Sequence, residues 1–588
     1  MGKLSVVLVS CCLVFLSLSN CKRKDMEDHK FKELVVEFLE GFYQAHPVWA
    51  TYIGEHKYDH LIDDYSTQAI QTEILRLRLF AEKMKSVDTL KLNPINKVDF
   101  KILENEINDQ LLRYEELRLY ENSPVMYSYL IGGSINSLIT REFAPLKDRL
   151  KSVLSRLMRL SILVRQARGN LLNPPEVQTR TAIRQNRGNI NLIKNDLAKV
   201  LERLPVMKDT LAYPIEVAVR TLEDYQGFLE NDLLPRSKGD FRLGKELFEK
   251  KLKLTLQSDL SPDEIVKRAE NEMVAVRKRM FELAQPLHEK MFPGRQLKEK
   301  GKELENIVIK EVLDEIAKDH PKKDELLAVC RQNLKEQEEF VREKDLVDLT
   351  GINLLEVDWT PEFSRGVAVA GLDAPGPLDK NLKSFFRVSP IPEDWPKEQE
   401  ESYLREYNNY MLKDLSIHEA MPGHYVQGFY ANQFPSLLRS IFGNGAFIEG
   451  WAVYTERMMV HTGYLNYDPR MELTQLKMYL RAVINAILDA NIHAGDMTRE
   501  EAIRLMTEEG FQERSEAEGK WVRACLTSTQ LSTYFVGLQE VLDLEKAYRE
   551  KMGENFSQKE FNQKLLSYGS PPVRFLKETI LKGEQTGT

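Results

Sequence analysis

The chain has 588 residues, of which 42% are hydrophobic and 29% charged, with a formal net charge of −8. That balance excludes a disordered chain and a multi-spanning membrane protein, and the length exceeds what one simple core holds. The mild acidity, with Lys and Arg interspersed among Asp and Glu, excludes a general nucleic-acid binder, which needs a basic stripe.

The first element in the chain is a leader. Lys3 precedes an apolar run from Leu4 to Leu18, short for a membrane span and of the length of a signal-peptide core. The run stops at Leu18-Ser19-Asn20-Cys21, which resembles the bacterial lipobox, whose cysteine becomes the lipidated first residue. Residues 1–20 are then the leader, Cys21 the lipid attachment point and 21–30 a charged tether. The alternative is an ordinary secretory signal. No second hydrophobic span follows, so the body is expected to be an exported, tethered envelope protein on the periplasmic or outer-membrane face. Cys330 and Cys525, distant from each other and without a CxxC pattern, read as two isolated buried thiols.

From Phe31 to about position 345 the pattern is repeatedly helical, and we assign 31–345 to an N-terminal helical lobe. Leu150, Val153, Leu154, Leu157 and Leu160 recur at three- and four-residue steps, as one buried stripe requires. Leu192, Ile193, Leu197, Val200 and Leu201 repeat the pattern, and Pro174-Pro175 and Pro235 punctuate it. Ser261-Pro262-Asp263-Glu264 is a helix start, with Ser as cap, Pro in the first turn and acids facing the dipole.

Residues 346–588 form the expected catalytic lobe. Between Gly351 and Pro396 the helical period fades and glycines and prolines break the chain. Val367-Ala368-Val369 and Phe385-Phe386-Arg387-Val388 read as short strands, and the stretch from Phe385 to Pro390 is expected to offer a strand edge to an extended peptide. Helical pattern then resumes to the C-terminus, so the whole chain is mostly α with a small β element.

That resumed helix runs into Ile417-His418-Glu419-Ala420-Met421-Pro422-Gly423-His424. Two His on one helix face with a Glu between them is the core of helical zinc-peptidase sites. Here the second His stands six positions on, not four, and at ~100° per residue it falls on a different face of a continuous helix. Pro422-Gly423 supplies the break that swings His424 back toward His418. The third ligand is sought in Phe447-Ile448-Glu449-Gly450-Trp451-Ala452-Val453-Tyr454-Thr455-Glu456. Glu449 and Glu456 project from nearly one face ~10 Å apart, so only one can ligate the same ion. Gly450 permits close backbone approach beside Glu449, which is therefore taken as the ligand, with Glu456 as the orienter of a ligand His. His418, His424 and Glu449 leave a fourth position open around Zn²⁺, as in catalytic sites, and Glu419 is the general base. Tyr534 and His493 are candidates to stabilise the oxyanion.

HEAMPGHYVQ is similar to the HExxPGHxxQ signature of the bacterial family called domain of unknown function 885. The resemblance extends to Pro47-Val48-Trp49-Ala50-Thr51-Tyr52-Ile53-Gly54, to Ala167-Arg168-Gly169-Asn170-Leu171, to the EGWAVYTE block and to Gln530-Leu531-Ser532-Thr533-Tyr534-Phe535-Val536-Gly537. It implies a largely helical, two-lobed protein with a site laid out as in gluzincin peptidases, often a lipoprotein, in which His418, Glu419, His424, Glu449 and Tyr534 take the motif positions. The expected activity is zinc-dependent hydrolysis of short or unfolded peptides, exo or endo. The rival expectation is a non-catalytic envelope lipoprotein that binds peptides or scaffolds a complex. Neither involves nucleic acid, and membrane contact is expected through the lipid on Cys21 only.

Overall fold

The computed structural model describes residues 26–352, 355–360, 370–380, 382–393 and 395–582. The leader, Cys21 and the Val367–Val369 segment lie outside the described residues. The chain is mostly helical, at 73%, with one small three-stranded sheet. Among the described residues no helix is long and apolar enough to cross a membrane.

The helices bury their apolar stripes in three cores. The first is aromatic: Phe31, Phe38, Phe80 and Leu103 from the N-terminal helices meet Leu438 and Ile441 from far along the chain. The second contains the predicted stripe, with Leu150, Val153, Leu157 and Leu160 all at most 1% exposed, packed among Ile131, Leu222 and Tyr225. The third runs from Phe248 to Ile580 and surrounds the site described below. It therefore draws on residues such as Leu252, Met280 and Ile309, N-terminal to position 345. The helix Pro262–Met291 starts at the predicted Ser261, which forms a full capping box with Glu264. Cys330 and Cys525 are both free and buried.

One buried ion pair ties the first core to the site-bearing part. Arg439 donates from Nε to Asp99 Oδ1 at 2.6 Å and from its two terminal nitrogens to the carbonyls of Tyr568 and Ile95 at 2.8 and 3.1 Å. With all its nitrogens engaged, this guanidinium fixes the helix Pro94–Glu115 against the segment that precedes the helix Gly445–His461.

The sheet comprises β1 (Leu355–Trp359), β2 (Ala370–Asp373) and β3 (Ser384–Val388), in the order β1-β3-β2. β3 pairs parallel with β1 and antiparallel with β2. Its alternating burial, with Phe386 and Val388 fully covered, is that of a central strand. This corrects the sequence expectation for Phe385–Pro390. Both edges of β3 are already paired within the sheet, and the edge strand beside the site is β2. Apolar character marked β3 as a strand, but it marked a buried centre rather than an available edge.

Candidate metal centre

Three helices converge on one point. The first, Asn409–Glu419, is capped by the Asn408 side chain, which accepts from the amides of Tyr410 and Met411. It stops at Glu419, and the second helix starts at His424 and runs to Ala431. The turn between them holds the cis Met421–Pro422 peptide. Gly423 is required there by space: a Cβ would lie 1.8 Å from the carbonyl oxygen of His418. Trp451, wholly buried on the third helix, donates its indole N–H to the carbonyl of Pro422 at 3.0 Å. The break predicted from Pro422-Gly423 is thus real, and it brings the two imidazoles together edge to face, ring centres 4.7 Å apart.

The third helix, Gly445–His461, carries Glu449 and Glu456 on one face. The His418 ring bridges the two turns between them. Its Nδ1 meets Glu456 Oε1 at 2.6 Å, while its Nε2 points at Glu449 Oε2 at 3.6 Å. The Nε2 of His424 lies 3.4 Å from the same Glu449 oxygen. These last two separations are long for hydrogen bonds, and Glu449 Oε2 is buried with no hydrogen-bond partner among the described residues. Glu419 stands beside them: one ligating atom each of His418, Glu419 and His424 lies within 4.8 Å of the others. Its Oε2 accepts the backbone N–H of Leu372 in β2 at 3.1 Å, so the sheet edge and the carboxylate share one wall.

Charge is concentrated and uncompensated here. Burial opposes the charged imidazole of His418, but Glu449 and Glu456 outweigh it and hold its pKa well above the usual value. Burial likewise pushes Glu449 up, yet the two His outweigh it and hold the carboxyl well below the usual range. Asp414, one turn before His418, has both oxygens buried and unpaired; burial, then the nearby Glu456, pushes its pKa far up. Glu456 is also raised, first by burial.

Tyr534 reaches the site on the helix Ser532–Met552. That helix crosses the third one backbone to backbone at Gly450 and Gly537, where a Cβ on Gly537 would lie 1.9 Å from the Ala446 carbonyl oxygen. Close approach beside Glu449, anticipated from Gly450, is what the packing uses. The Tyr534 ring stacks near His418 at 6.5 Å between centres, and its hydroxyl accepts from Arg523 Nη2 at 3.2 Å.

His493 takes a different place. Its Nε2 contacts the carbonyls of Ala524 and Thr527 at 2.9 and 2.7 Å, and its ring stacks on Phe248. One helical turn earlier, Asp489 accepts from the amides of Thr529 and Ser532 at 2.8 and 3.0 Å. Together they shape the turn that launches the Tyr534 helix. His493 is thus packed between Phe248 and the Ala524 and Thr527 carbonyls, with its Nδ1 buried and without a hydrogen-bond partner among the described residues. Sequence reasoning missed Asp414, Arg523, Gln530 and the Leu372 amide. Only Asp414 had a readable signal, lying four residues before His418 and so on its face.

The matching family model, described as a bacterial protein of unknown function (DUF885), covers residues 47–580, and the chain belongs to that family. Its fold matches the structure titled "a putative lipoprotein of unknown function from Shewanella oneidensis" with a TM-score of 0.80, 34% identity, and coverage of 94% of this chain and 99% of that one. A second structure, "the putative lipoprotein from Colwellia psychrerythraea", shares the fold at 17% identity with a TM-score of 0.77, covering 95% of this chain and all of that one. No protein of curated function matches.

Proposed function

We propose that this protein is a zinc-dependent hydrolase of gluzincin type, a peptidase for short or unfolded peptides. The observation that carries the reading is the orphaned Glu449 Oε2, held 3.4 and 3.6 Å from two imidazole nitrogens. Ligand atoms ~2.0–2.1 Å from a tetrahedral ion stand ~3.3–3.4 Å apart. The spacing suits three ligands of one ion better than three hydrogen-bonding groups. His418, His424 and Glu449 would hold the zinc, with Glu456 fixing the His418 ring through Nδ1.

Bound zinc supplies Lewis acidity toward a water and a carbonyl oxygen. The chain supplies the rest. Glu419, with Oε2 anchored on the Leu372 amide, keeps Oε1 to take the proton of the attacking water and pass it to the leaving amine. The Tyr534 hydroxyl, already accepting from Arg523, has its own proton free to donate to the carbonyl oxygen as that becomes an anion. The outer edge of β2, beyond the Leu372 amide that Glu419 takes, would offer main-chain pairing, which selects extended segments and reads side chains weakly. The leader over residues 1–20 followed by Cys21, and the likeness to the putative lipoprotein from Shewanella oneidensis, support an exported, lipid-anchored location.

The test is cleavage of a mixed peptide pool and of a stable folded protein by wild type and by Glu419→Gln. Wild type should cleave the pool and spare the folded protein. The variant should keep its metal and lose about 10²–10⁴-fold in rate, the usual contribution of a general base. Full activity in the variant, or no cleavage by zinc-loaded wild type, rejects the reading.

A further inference from the structure

Two basic side chains stand together on the helix that reaches the Tyr534 hydroxyl through Arg523. Arg523 and Lys520 lie three residues apart on the helix Arg514–Leu526, hence on one face. Arg523 is exposed and makes only neutral contacts: its Nη2 donates to Gln530 Oε1 at 3.0 Å and to the Tyr534 hydroxyl at 3.2 Å. Among the described residues neither cation has an acidic partner. Nearby basic groups do: Arg514 on the same helix pairs with Glu518 at 3.4 Å, and Arg481 on the helix Pro469–His493 is shared between Glu406 and Glu516. Lys520 is half-buried, and burial first, then the Arg481 and Arg523 charges, pulls its pKa well below the usual lysine value. A half-buried lysine crowded by two guanidiniums, with no anion opposite, is a place that an incoming anion stabilises.

The position suggests the missing anion. From His418 the Tyr534 ring is 6.5 Å away, and the guanidinium lies one hydrogen bond beyond the Tyr534 hydroxyl. An extended peptide advances ~3.3–3.6 Å per residue, so a chain whose scissile carbonyl faces Tyr534 reaches Arg523 within about one to three residues. Nη1 and Nε of Arg523 remain available for the two-pronged grip that a guanidinium gives a carboxylate. We propose that Arg523, backed by Lys520, binds the free C-terminal carboxylate of the peptide, so that the protein releases short C-terminal fragments.

This inference rests on the peptidase reading, and the experiment separates the two. A randomised N-acetylated pentapeptide pool is prepared twice, with free-acid and with amide C-termini. Cleavage of each by zinc-loaded wild type, Arg523→Gln and Lys520→Gln is followed by mass spectrometry. Retention of each pool on the Glu419→Gln protein is measured by ultrafiltration. Wild type should prefer the acid pool about 10- to 100-fold, the range of a charge-assisted hydrogen-bonded pair. Arg523→Gln should bring the acid-to-amide ratio close to one, and Lys520→Gln should lower it by a smaller factor. The ratio is the readout because Arg523→Gln also disturbs Tyr534, which slows both pools alike. If neither pool is cleaved but the acid pool is retained through Arg523, the carboxylate site stands and the peptidase reading falls. Equal handling of both pools by wild type, an unchanged ratio in Arg523→Gln, or retention of neither pool overturns the proposal.

Discussion

Two buried histidines in this protein are each flanked by two carboxylates, and only one of the two clusters is complete. In the N-terminal part, His46 lies 3.6 Å from Asp63 and 3.7 Å from Glu73. There Arg76 donates to both oxygens of Glu73 at 2.7 Å, and the Val48 amide satisfies Asp63. At the site, His418 faces Glu456 and Glu449, with Asp414 and Glu419 close by, and among the described residues no Lys or Arg bonds to any of these four acids. Orphaned oxygens remain on Asp414, Glu449 and Glu456. A buried carboxylate without a partner costs several kcal/mol. The N-terminal cluster meets that cost with a guanidinium, whereas in the other the proposed zinc would meet it. The difference teaches that a histidine between two carboxylates does not by itself point to a metal; the proposal of one rests on the unmet acids around His418.

The largest expected effect is on the complete cluster. Arg76→Met removes the built-in cation and leaves Glu73 buried and unpaired, so unfolding free energy should fall by about 3–5 kcal/mol, with zinc content unchanged. Denaturant titration and elemental analysis of the same preparation check both halves. A stable variant, or one that loses zinc, would break the contrast between the clusters. The next effect is on the incomplete cluster. Glu456→Gln keeps a hydrogen-bonding oxygen for His418 Nδ1 but removes its charge, and zinc affinity should fall about 10- to 100-fold. Competition with a chromogenic chelator measures this, and an unaltered affinity would show that Glu456 does not tune the ligand.

The smallest effect is a pH dependence. Burial opposes the charged form of His46, but Asp63 and Glu73 outweigh it and lift its pKa to about 9. A raised pKa stabilises the fold fully below the unfolded value of ~6.5, and that contribution is lost as pH rises through about 9. Glu73 runs the other way: burial would raise it, but Arg76 and His46 hold it at about 2. Its contribution is present above ~4.5 and lost as pH falls toward about 2. The stability gap between wild type and His46→Asn should therefore narrow between about pH 6.5 and 9. A gap that stays constant over that window would show that His46 is neutral in the fold.

Much of this was legible in the residues, for reasons that can be named. The stripe around Leu157 and the Ser261 cap are local patterns, and local geometry decides them. Pro422-Gly423 announced a helix break because neither residue can continue a helix undisturbed, and Gly450 announced a close crossing because no other residue leaves the room. The pairing of Glu456 with His418 followed from two acids on one face being too far apart for one ion. What escaped were facts of tertiary contact. Nothing in Leu372 says that its amide will meet Glu419, since a backbone donor carries no sequence mark. Phe385–Val388 reads as a strand from its composition, but its central place depends on two partners distant along the chain. His493 carries the residue type of a catalytic donor, and nothing in the sequence tells that its Nε2 lies against the carbonyls of Ala524 and Thr527.

The most direct test of the central claim is the metal content of protein purified without added zinc, measured for wild type, Glu449→Gln and Arg76→Met by elemental analysis. We expect about one equivalent of zinc in wild type and Arg76→Met, as an open three-ligand site requires, and a loss of zinc in Glu449→Gln. Wild type that stays empty after dialysis against zinc, or a Glu449→Gln variant that holds a full equivalent, would contradict the assignment of the missing charge to a metal ion.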